Sequence, residues 1–434
     1  MQVDSFSVII VADFITAREG PIMSGSSRLR RFATILVRIS DPVRDWHELV
    51  LPGCLAMIGV WGTLALILSL ISTPSPADDQ LSAEVLSDPS VVFNWSTQRC
   101  DDDDIPDNPI RAVRLANGTV LALGSSFDTR PFLGRDLNSI QRECVLVHKS
   151  RLDADPAQFA DRTWLASTWT EDGKTIFALG HNEYQADKHP GRCKYPKYVQ
   201  CWYNTIGLFR SIDGGKSFER AAAKPMAAPA FQQDFDQGRP RGFFAPTNII
   251  KMDGYYYTLI RTTGGGAQSS GECLFRAASV GDISAWTYFD GSDFIPSALD
   301  PYHDDVSHVR PCAILRGLIG SVGSVVKDLT TGLFIAVTGF QGTNDNPGGI
   351  LFATSRDLLT WSKPQNLVRF PLAAVATCKD PFGFGYPALL DPRSTSLNFE
   401  DTAGNPYLYL TRTHIANCHM TLNRDLVRMS VRFH

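Results

Sequence analysis

The amino-acid sequence predicts an all-β protein: a five-bladed β-propeller that follows one N-terminal transmembrane helix. Three observations lead to this prediction. An uncharged apolar stretch lies near the N-terminus, short β-rich runs recur through the rest of the chain, and an aspartate turn recurs between them at a nearly constant spacing. After Ile71 we find no convincing amphipathic helix of about 10 to 15 residues, which a parallel α/β sheet would need between its strands.

The apolar stretch covers residues 49–71, LVLPGCLAMIGVWGTLALILSLI. At about 1.5 Å per residue it is long enough to cross roughly 30 Å of hydrocarbon. Arginines precede it within residues 28–44 and acidic residues follow it within residues 78–88, so residues 1–48 are expected in the cytoplasm and the C-terminal domain outside. The alternative is a signal peptide cleaved near Ser75-Pro76-Ala77, which would give a secreted protein.

Residues 72–90 are rich in proline, serine and acidic residues, which is typical of a linker. The propeller domain is therefore assigned to residues 91–434. The net charge of -4 offers no basic surface for phosphate groups, so a nucleic-acid partner is excluded. The expected partners are a glycan, for reasons given below, and the membrane.

The chain has nine cysteines, of which Cys54 lies in the apolar stretch. The remaining eight form an even set in a domain expected outside the membrane, which predicts disulfides. Cys193 and Cys201 are the simplest pair, but the sequence leaves the full pairing open. No cysteine or histidine cluster has the spacing of a zinc site. We therefore expect no cofactor, and leave a structural calcium ion open.

Two recurring features suggest repeats. The β-rich runs begin at Gly118, Lys174, Gly254, Gly332 and Asn405. The aspartate turns lie at Asp136, Asp213, Asp282, Asp357 and Asp425, which are 77, 69, 75 and 68 residues apart. A repeat of this length with several strands is typical of a propeller blade, which buries its faces only against its neighbours. Five repeats predict five blades.

Two of the turns carry a family resemblance. Residues 211–218, SIDGGKSF, resemble the Asp-box of sialidases, and residues 355–361, SRDLLTW, resemble a turn of the five-bladed glycosidases, the arabinanase, xylosidase, invertase and levansucrase group. The resemblance in pattern spans about residues 104–433. It implies a propeller glycoside hydrolase that acts on a glycan or oligosaccharide through paired carboxylates, with Asp213 in a structural role.

Hydrolysis of a glycosidic bond needs one carboxylic acid and one carboxylate. Asp107 precedes the first β-rich run, and the resemblance implies that it is the general base or nucleophile of the first blade. Asp104 competes for this role. The alternative is that residues 101–104 form a solvated acidic loop and that Asp107 only caps the turn before Pro109.

Residues 181–184, HNEY, directly follow the apolar run TIFALG. Strand alternation places His181 and Glu183 on one face, where they could act on one substrate. We assign Glu183 as the general acid, in place of a glutamate that the resembled family carries on a middle blade, and His181 as a substrate contact. The alternative is an exposed polar loop. The aromatic insertion at residues 185–203 either roofs the site or packs on a neighbouring blade.

Other blades supply further candidates. The expected substrate contacts are Asn248, Arg261, Tyr386 and Arg412. Arg261 and Arg412 close matching apolar runs, so together they could clamp a carboxylate, which makes a sialic or uronic acid a candidate ligand. Asp305 is assigned as a third carboxylate that tunes the acid.

Two further functions stay open at this point. A non-catalytic carbohydrate-binding or surface-assembly propeller would keep the aromatic residues and arginines without a catalytic carboxylate pair. A protein-interaction propeller would instead present an apolar face.

Overall fold

The computed structural model describes residues 81–342 and 348–434. The expected cytoplasmic segment, the apolar stretch at residues 49–71 and the first part of the linker lie outside the described residues. Within the described residues, no helix has both the length and the apolar character needed to cross a membrane.

The described chain is all-β. Its strands form five units, which we number 1 to 5 and in which most neighbouring strands pair antiparallel. Unit 1 contains β3 (Arg111–Arg114), β4 (Val120–Leu123), β5 (Pro131–Gly134) and β6 (Gln141–Arg142). Unit 2 contains β7 (Arg162–Thr170), β8 (Ile176–Gln185), β9 (Trp202–Ser211) and β10 (Glu219–Arg220). Unit 3 contains β11 (Arg241–Phe244), β12 (Ile250–Met252), β13 (Tyr255–Thr262), β14 (Gly271–Ala277), β15 (Trp286–Phe289) and β16 (Phe294–Pro296).

Unit 4 includes a short strand from near the C-terminus, and unit 5 combines strands from both ends of the described chain. Unit 4 contains β17 (Ser321–Asp328), β18 (Phe334–Phe340), β19 (Gly349–Ser355), β20 (Gln365–Val368) and β22 (Asp401–Thr402). Unit 5 contains β21 (Phe382–Leu390), β23 (Tyr407–Ala416), β24 (His419–Phe433), β1 (Ala83–Val85) and β2 (Ser90–Phe93). The helical segments are α1 (Trp95–Gln98) and short 3₁₀ turns at Pro156–Gln158, Ala186–Lys188, Tyr198–Cys201, Ile283–Ala285 and Ala373–Val375.

Units 1, 4 and 5 are separate sheets, whereas units 2 and 3 form one ten-stranded sheet. Strand β11 joins them, because it pairs in parallel with β9 and antiparallel with β13. In unit 5, β1 and β2 both pair antiparallel with β24, and Ala83 lies opposite Phe433. This corrects the expected boundary at residue 91, because residues 83–85 of the expected linker are an edge strand of the last sheet.

Apolar side chains on both faces of the strands explain how the units pack. Strand β4, for example, has the sequence VLAL and is buried along its whole length. Five apolar clusters each combine residues of two units, so that unit 1 packs on unit 2, 2 on 3, 3 on 4, 4 on 5, and 5 on 1. Because each sheet buries its faces only against its neighbours, burial of the core depends on this cyclic order.

Hydrogen bonds near the centre join each unit to the next. The donors and acceptors are Asn108 Nδ2 to Leu165 O, Ser167 Oγ to Thr247 O, Asn248 Nδ2 to Val325 O, Leu389 N to Ser324 Oγ, and Thr411 Oγ1 to Pro106 O. The buried Arg111 guanidinium donates to the carbonyls of Ile110, Ala166, Pro246 and Gly323, which belong to four units. A Cβ on Gly323 would overlap the carbonyl oxygen of Pro387, so only glycine permits this close approach.

Four of the five expected aspartate turns lie outside the strands. In one of them, Asp213 accepts hydrogen bonds from the backbone N–H groups of Lys216 and Ser217, at 3.0 and 3.1 Å. Asp425 is different, because it lies inside β24 and not in a turn. Its side chain is buried and pairs with Arg412 at 2.8 Å and His414 at 2.9 Å.

All eight cysteines of residues 81–434 form disulfides, as the even count predicted. The pairs are Cys100–Cys144, Cys193–Cys201, Cys273–Cys312 and Cys378–Cys418. The last of these connects the segment before β21 to the turn between β23 and β24.

Candidate functional site

A cavity of about 110 Å³ lies where residues of all five units meet. We call it the central cleft. Its lining includes residues from every unit. They are Asp107 and Asn108 of the segment before β3, Trp164, His181, Glu183, Gln185 and Trp202 of unit 2, Phe244 and Arg261 of unit 3, Gly323 of unit 4, and Tyr386 and Arg424 of unit 5. The structure thus brings together five of the eight residues expected in the site: Asp107, His181, Glu183, Arg261 and Tyr386.

Asp107 lies just before β3, and its carboxylate receives two donors from unit 5. The Tyr386 hydroxyl donates to Asp107 Oδ1 at 3.0 Å, and the Arg424 guanidinium forms an ion pair with the same oxygen. Burial, followed by the nearby charge of Asp107, raises the pKa of Tyr386 well above its ordinary value, so the phenol stays a donor. One oxygen of Asp107 therefore has both a hydroxyl donor and a cation beside it.

The backbone at two cleft residues adopts an unusual conformation. Tyr386 and Ala245 have positive φ values of 54° and 29°. Both precede proline, which disfavours helical conformations for the residue before it. Strain of this kind is kept where the surrounding structure needs it, and here it sets the positions of Tyr386 and of the edge of β11 at the cleft.

Glu183 lies on β8 and is only 8% exposed. Its Oε2 accepts a hydrogen bond from Gln185 Nε2 at 3.0 Å. Burial is the largest cause that raises its pKa, to about 8, and the negative charges of Asp107 and Asp161 act in the same direction, while Gln185 and Arg162 oppose them. At neutral pH this carboxyl is therefore mostly protonated.

His181 lies on the same face of β8, as strand alternation predicted, and its Nδ1 is 3.9 Å from Glu183 Oε1. Its Nε2 is 3.1 Å from Asn204 Oδ1. The Asn204 amide nitrogen donates to Arg241 O, which fixes Oδ1 as the acceptor, so Nε2 carries the proton. Burial lowers the pKa of His181 to about 4, with a smaller opposing effect from Asn204, so the imidazole is neutral.

The other two residues of the HNEY segment point away from the cleft. Asn182 donates to Thr205, and the Tyr184 hydroxyl donates to Ala154 O at 2.8 Å. All four residues are buried within β8, so the alternative of an exposed polar loop is wrong.

Arg261 lies on β13 opposite Glu272 of β14, a residue that sequence reasoning missed. The Arg261 guanidinium is 3.5 Å from Glu272 Oε1 and donates to Gly320 O at 2.6 Å. Glu272 is 3% exposed, and burial raises its pKa to about 7 despite the opposing effects of Arg261 and of the Val322 N–H. The hairpin around residues 263–270 is the sequence signal that could have paired the two.

The aromatic insertion at residues 185–203 contributes to the cleft. Tyr198 and Trp202 line it, together with Trp164 and Phe244 of units 2 and 3. The disulfide between Cys193 and Cys201 closes the insertion immediately before Trp202. Flat aromatic faces of this kind suit the apolar C–H surfaces of sugar rings.

Several buried polar atoms of cleft side chains have no hydrogen-bond partner within the described part of the chain. They include the N–H donors Trp164 Nε1, Trp202 Nε1 and Arg261 Nε, and the acceptor Gln185 Oε1. A buried polar group without a partner is costly, so these atoms are available to a ligand.

Three expected site residues lie elsewhere, and their assignments are corrected. Asp305 has a side chain that is 69% exposed and lines a different cavity of about 550 Å³ with His308 and Arg310, so it cannot tune Glu183. Asn248 uses both its amide atoms on Val325 and serves as a joint between units 3 and 4. Arg412 forms its ion pair with Asp425 and does not line the central cleft.

Three further charged residues lie outside the lining of the central cleft. Asp104 is fully buried and pairs with Arg142 at 3.2 Å, so it is structural and does not compete with Asp107. Arg310 is exposed and pairs with Asp290. Arg111 does not line the cleft, but it donates to the carbonyl oxygen of Gly323, which does. Among residues 81–342 and 348–434, no group of three or more histidine, cysteine, aspartate or glutamate side chains could hold a metal ion.

No family model and no curated protein matches this chain. Its structure aligns with solved structures at low similarity. A glycosyl hydrolase from Bacteroides ovatus has 10% sequence identity, covers 80% of this chain and 93% of its own, and gives a TM-score of 0.44. The GH43_1 enzyme from Xanthomonas citri complexed with xylotriose has 11% identity, coverage of 80% and 90%, and a TM-score of 0.45. The α-L-arabinanase from Cellvibrio cellulosa complexed with arabinohexaose has 11% identity, coverage of 75% and 91%, and a TM-score of 0.40. Similarity this low does not specify a function, so the chemistry of the cleft has to indicate it.

Proposed function

We propose that the chain forms a five-bladed β-propeller whose central cleft hydrolyses a glycosidic bond, with Glu183 as general acid and Asp107 as base or nucleophile. The five units, their cyclic packing and the cleft at their common centre support the propeller. The four disulfides support an oxidising compartment outside the cytoplasm. Residues 49–71 would then anchor or export the domain.

The observation that carries this proposal is a pair of carboxyl groups in one cleft with opposite environments. Glu183 is buried and has a pKa of about 8, raised mainly by burial, so it holds a proton at neutral pH. Asp107 has the Arg424 cation and the Tyr386 hydroxyl at its oxygen. Glycoside hydrolysis needs one protonated and one ionised carboxyl group, and environments that separate two such groups assign their roles.

Each neighbour has a role in this scheme. Glu183 would donate its proton to the leaving oxygen, while Asp107 would attack the anomeric carbon or activate a water molecule. The neutral His181 and the Arg261 guanidinium would contact the sugar. Gln185 and Tyr386 would position the two carboxyl groups through their hydrogen bonds.

One feature favours a second function, a non-catalytic carbohydrate-binding protein. Asp107 accepts bonds from both Arg424 and Tyr386, and donors on a carboxylate weaken it as a base or nucleophile. The aromatic side chains and the unpartnered donors of the cleft would serve binding equally well.

A screen of the full-length chain against nitrophenyl glycosides and natural polysaccharides tests the proposal. Wild type should release sugar, and Glu183→Gln should lose that activity while keeping its fold. Glu171→Gln is the matched control, because Glu171 is a glutamate outside the cleft that pairs with Lys251. Full activity of Glu183→Gln would remove the assigned acid. Saturable glycan binding without any hydrolysis would select the binding protein instead.

A further inference from the structure

We propose that the sugar accepted by the central cleft carries a carboxylate, and that Arg261 is the residue that selects it. This inference rests on the proposed function, because it names the class of sugar that the same cleft binds. Two independent features of the cleft support it: the balance of its unpartnered hydrogen-bonding atoms and the balance of its charges.

The unpartnered atoms favour a ligand that accepts more hydrogen bonds than it donates. Trp164 Nε1, Trp202 Nε1 and Arg261 Nε are donors, whereas Gln185 Oε1 is an acceptor. A sugar hydroxyl brings a hydrogen to donate as well as lone pairs that accept, so a neutral sugar needs acceptors as well as donors, and the cleft has fewer unpartnered acceptors than donors. A carboxylate only accepts, and an arginine can bind it with two parallel N–H groups.

The charges around the cleft leave a positive excess. Arg424 is balanced by Asp107, and Arg162 next to Glu183 is balanced by Asp161 at 2.8 Å. The Glu183 carboxyl is mostly protonated at neutral pH, so it balances nothing. These pairs leave the charges of Arg261 and Arg111 to be accounted for.

Neither of these two arginines is fully neutralised. Glu272 faces Arg261, but burial raises its pKa to about 7, so near neutral pH it is ionised only part of the time. Arg111 donates to four carbonyl oxygens, which carry no net charge, and one of them belongs to Gly323 of the cleft. Burial lowers its pKa to about 9, and it therefore remains a cation at neutral pH. A buried positive excess attracts an anionic ligand.

The two features converge on Arg261. Its Nε lacks a partner in the described structure, and its own carboxylate partner, Glu272, is incompletely ionised. Arg424, in contrast, is committed to Asp107. An incoming carboxylate would therefore replace Glu272 as the main counter-charge of Arg261.

The test compares sugars that differ only in their charge. Methyl glucuronoside is matched with methyl glucoside, methyl galacturonoside with methyl galactoside, and N-acetylneuraminic acid with its methyl ester, so that the arms distinguish uronic from sialic acids. Binding to the full-length chain at pH 7 and low salt is followed by tryptophan fluorescence, since two tryptophans line the cleft. A carboxylated sugar should bind on the order of 10- to 100-fold more tightly than its neutral partner.

Variants locate the selecting group. Arg261→Gln should abolish this preference, and Arg261→Lys should restore part of it, because lysine keeps the charge without the second donor. Arg432→Gln is the matched control, since it also removes an arginine paired with a glutamate, Glu84, but far from the cleft residues. It should leave the preference unchanged.

The outcomes separate this inference from the proposed function. If neutral sugars bind as tightly as carboxylated ones, the inference is wrong even if hydrolysis is observed. If carboxylated sugars bind preferentially but wild type cleaves none of their glycosides, the inference holds and the hydrolase proposal is wrong. If none of the six sugars binds, the inference is wrong, and the hydrolase proposal is decided by the screen against glycosides and polysaccharides.

Discussion

Replacing Glu183 with glutamine should change how the stability of the protein depends on pH. Burial holds the pKa of this carboxyl at about 8 in the folded protein, against an ordinary value of 4.5. Between these values the folded state keeps a proton that the unfolded state has released. Raising the pH through this interval therefore destabilises the wild type, whereas the glutamine variant has no proton to lose at this position.

The size of the effect follows from the same two values. Each pH unit within the interval costs about 1.4 kcal/mol. Since the unfolded carboxyl is already partly ionised at pH 5, the wild type should lose roughly 2 to 3 kcal/mol of unfolding free energy relative to Glu183→Gln between pH 5 and pH 7. This is a large part of the ~5–15 kcal/mol that stabilises a typical protein. Glu272 contributes in the same direction, but it is present in both proteins and cancels in the comparison.

Urea unfolding at pH 5, 6 and 7 with the disulfides intact measures this difference. Glu171→Gln is the control. At Glu171, burial raises the pKa but is outweighed by hydrogen bonds from Tyr256, Lys251 and Trp169, so the net pKa is lowered and the control should keep the wild-type slope. Equal slopes for wild type and Glu183→Gln would mean that Glu183 is ionised in the folded protein at neutral pH. The assignment of Glu183 as general acid would then lose its physical basis.

Two further predictions concern a residue of the cleft and a joint between two units. Tyr386→Phe removes a hydrogen bond to the Asp107 carboxylate and should lower turnover on any cleaved glycoside by about tenfold or more, with unchanged circular dichroism; steady-state kinetics at saturating substrate measures it, and unaltered turnover would show that Tyr386 does not position Asp107. Asn248→Ala removes both bonds to Val325 and should lower the unfolding free energy by about 1 to 3 kcal/mol without changing sugar affinity; weaker binding with unchanged stability would instead return Asn248 to the ligand site.

The strands were predictable because they are apolar on both faces. The five β-rich runs correspond to β4, β8, β13, β18 and β23, one in each unit. Long apolar runs of this kind occur where a sheet is covered on both sides. The cleft residues His181 and Glu183 were found for a related reason, since polar side chains in the continuation of such a run need a special environment.

Arg412 shows where the sequence could not decide. It was chosen because it closes an apolar run, but in a strand successive side chains point to opposite faces, and the run itself is apolar on both. In the structure, Arg412 is opposite Asp425, whereas Arg424, one position earlier on β24, reaches Asp107. A difference of one position on β24 thus decides whether a side chain reaches the cleft, as Arg424 does, or forms the ion pair with Arg412, as Asp425 does.

Asp305 and Asn248 were wrongly assigned to the site for a different reason. Asp305 lies on the long connection between β16 and β17, and Asn248 lies on the short one between β11 and β12; the sequence contains no local signal for where either segment places its side chains. Asn248 lies two residues after Pro246, just as Arg111 lies two residues after Pro109, and both side chains are consumed by contacts between units. This shared spacing would have suggested a joint and not a ligand contact.

The pairing of β1 and β2 with β24 has a consequence for biosynthesis. Ala83 cannot pair until Phe433, its partner in the last sheet, has been synthesised. At about 5–20 residues per second, roughly 20 to 70 seconds pass between the emergence of these partners from the ribosome. During that time the face of unit 1 that packs on unit 5 has no partner, so a nascent chain of this protein should depend on chaperones until the last strand is made.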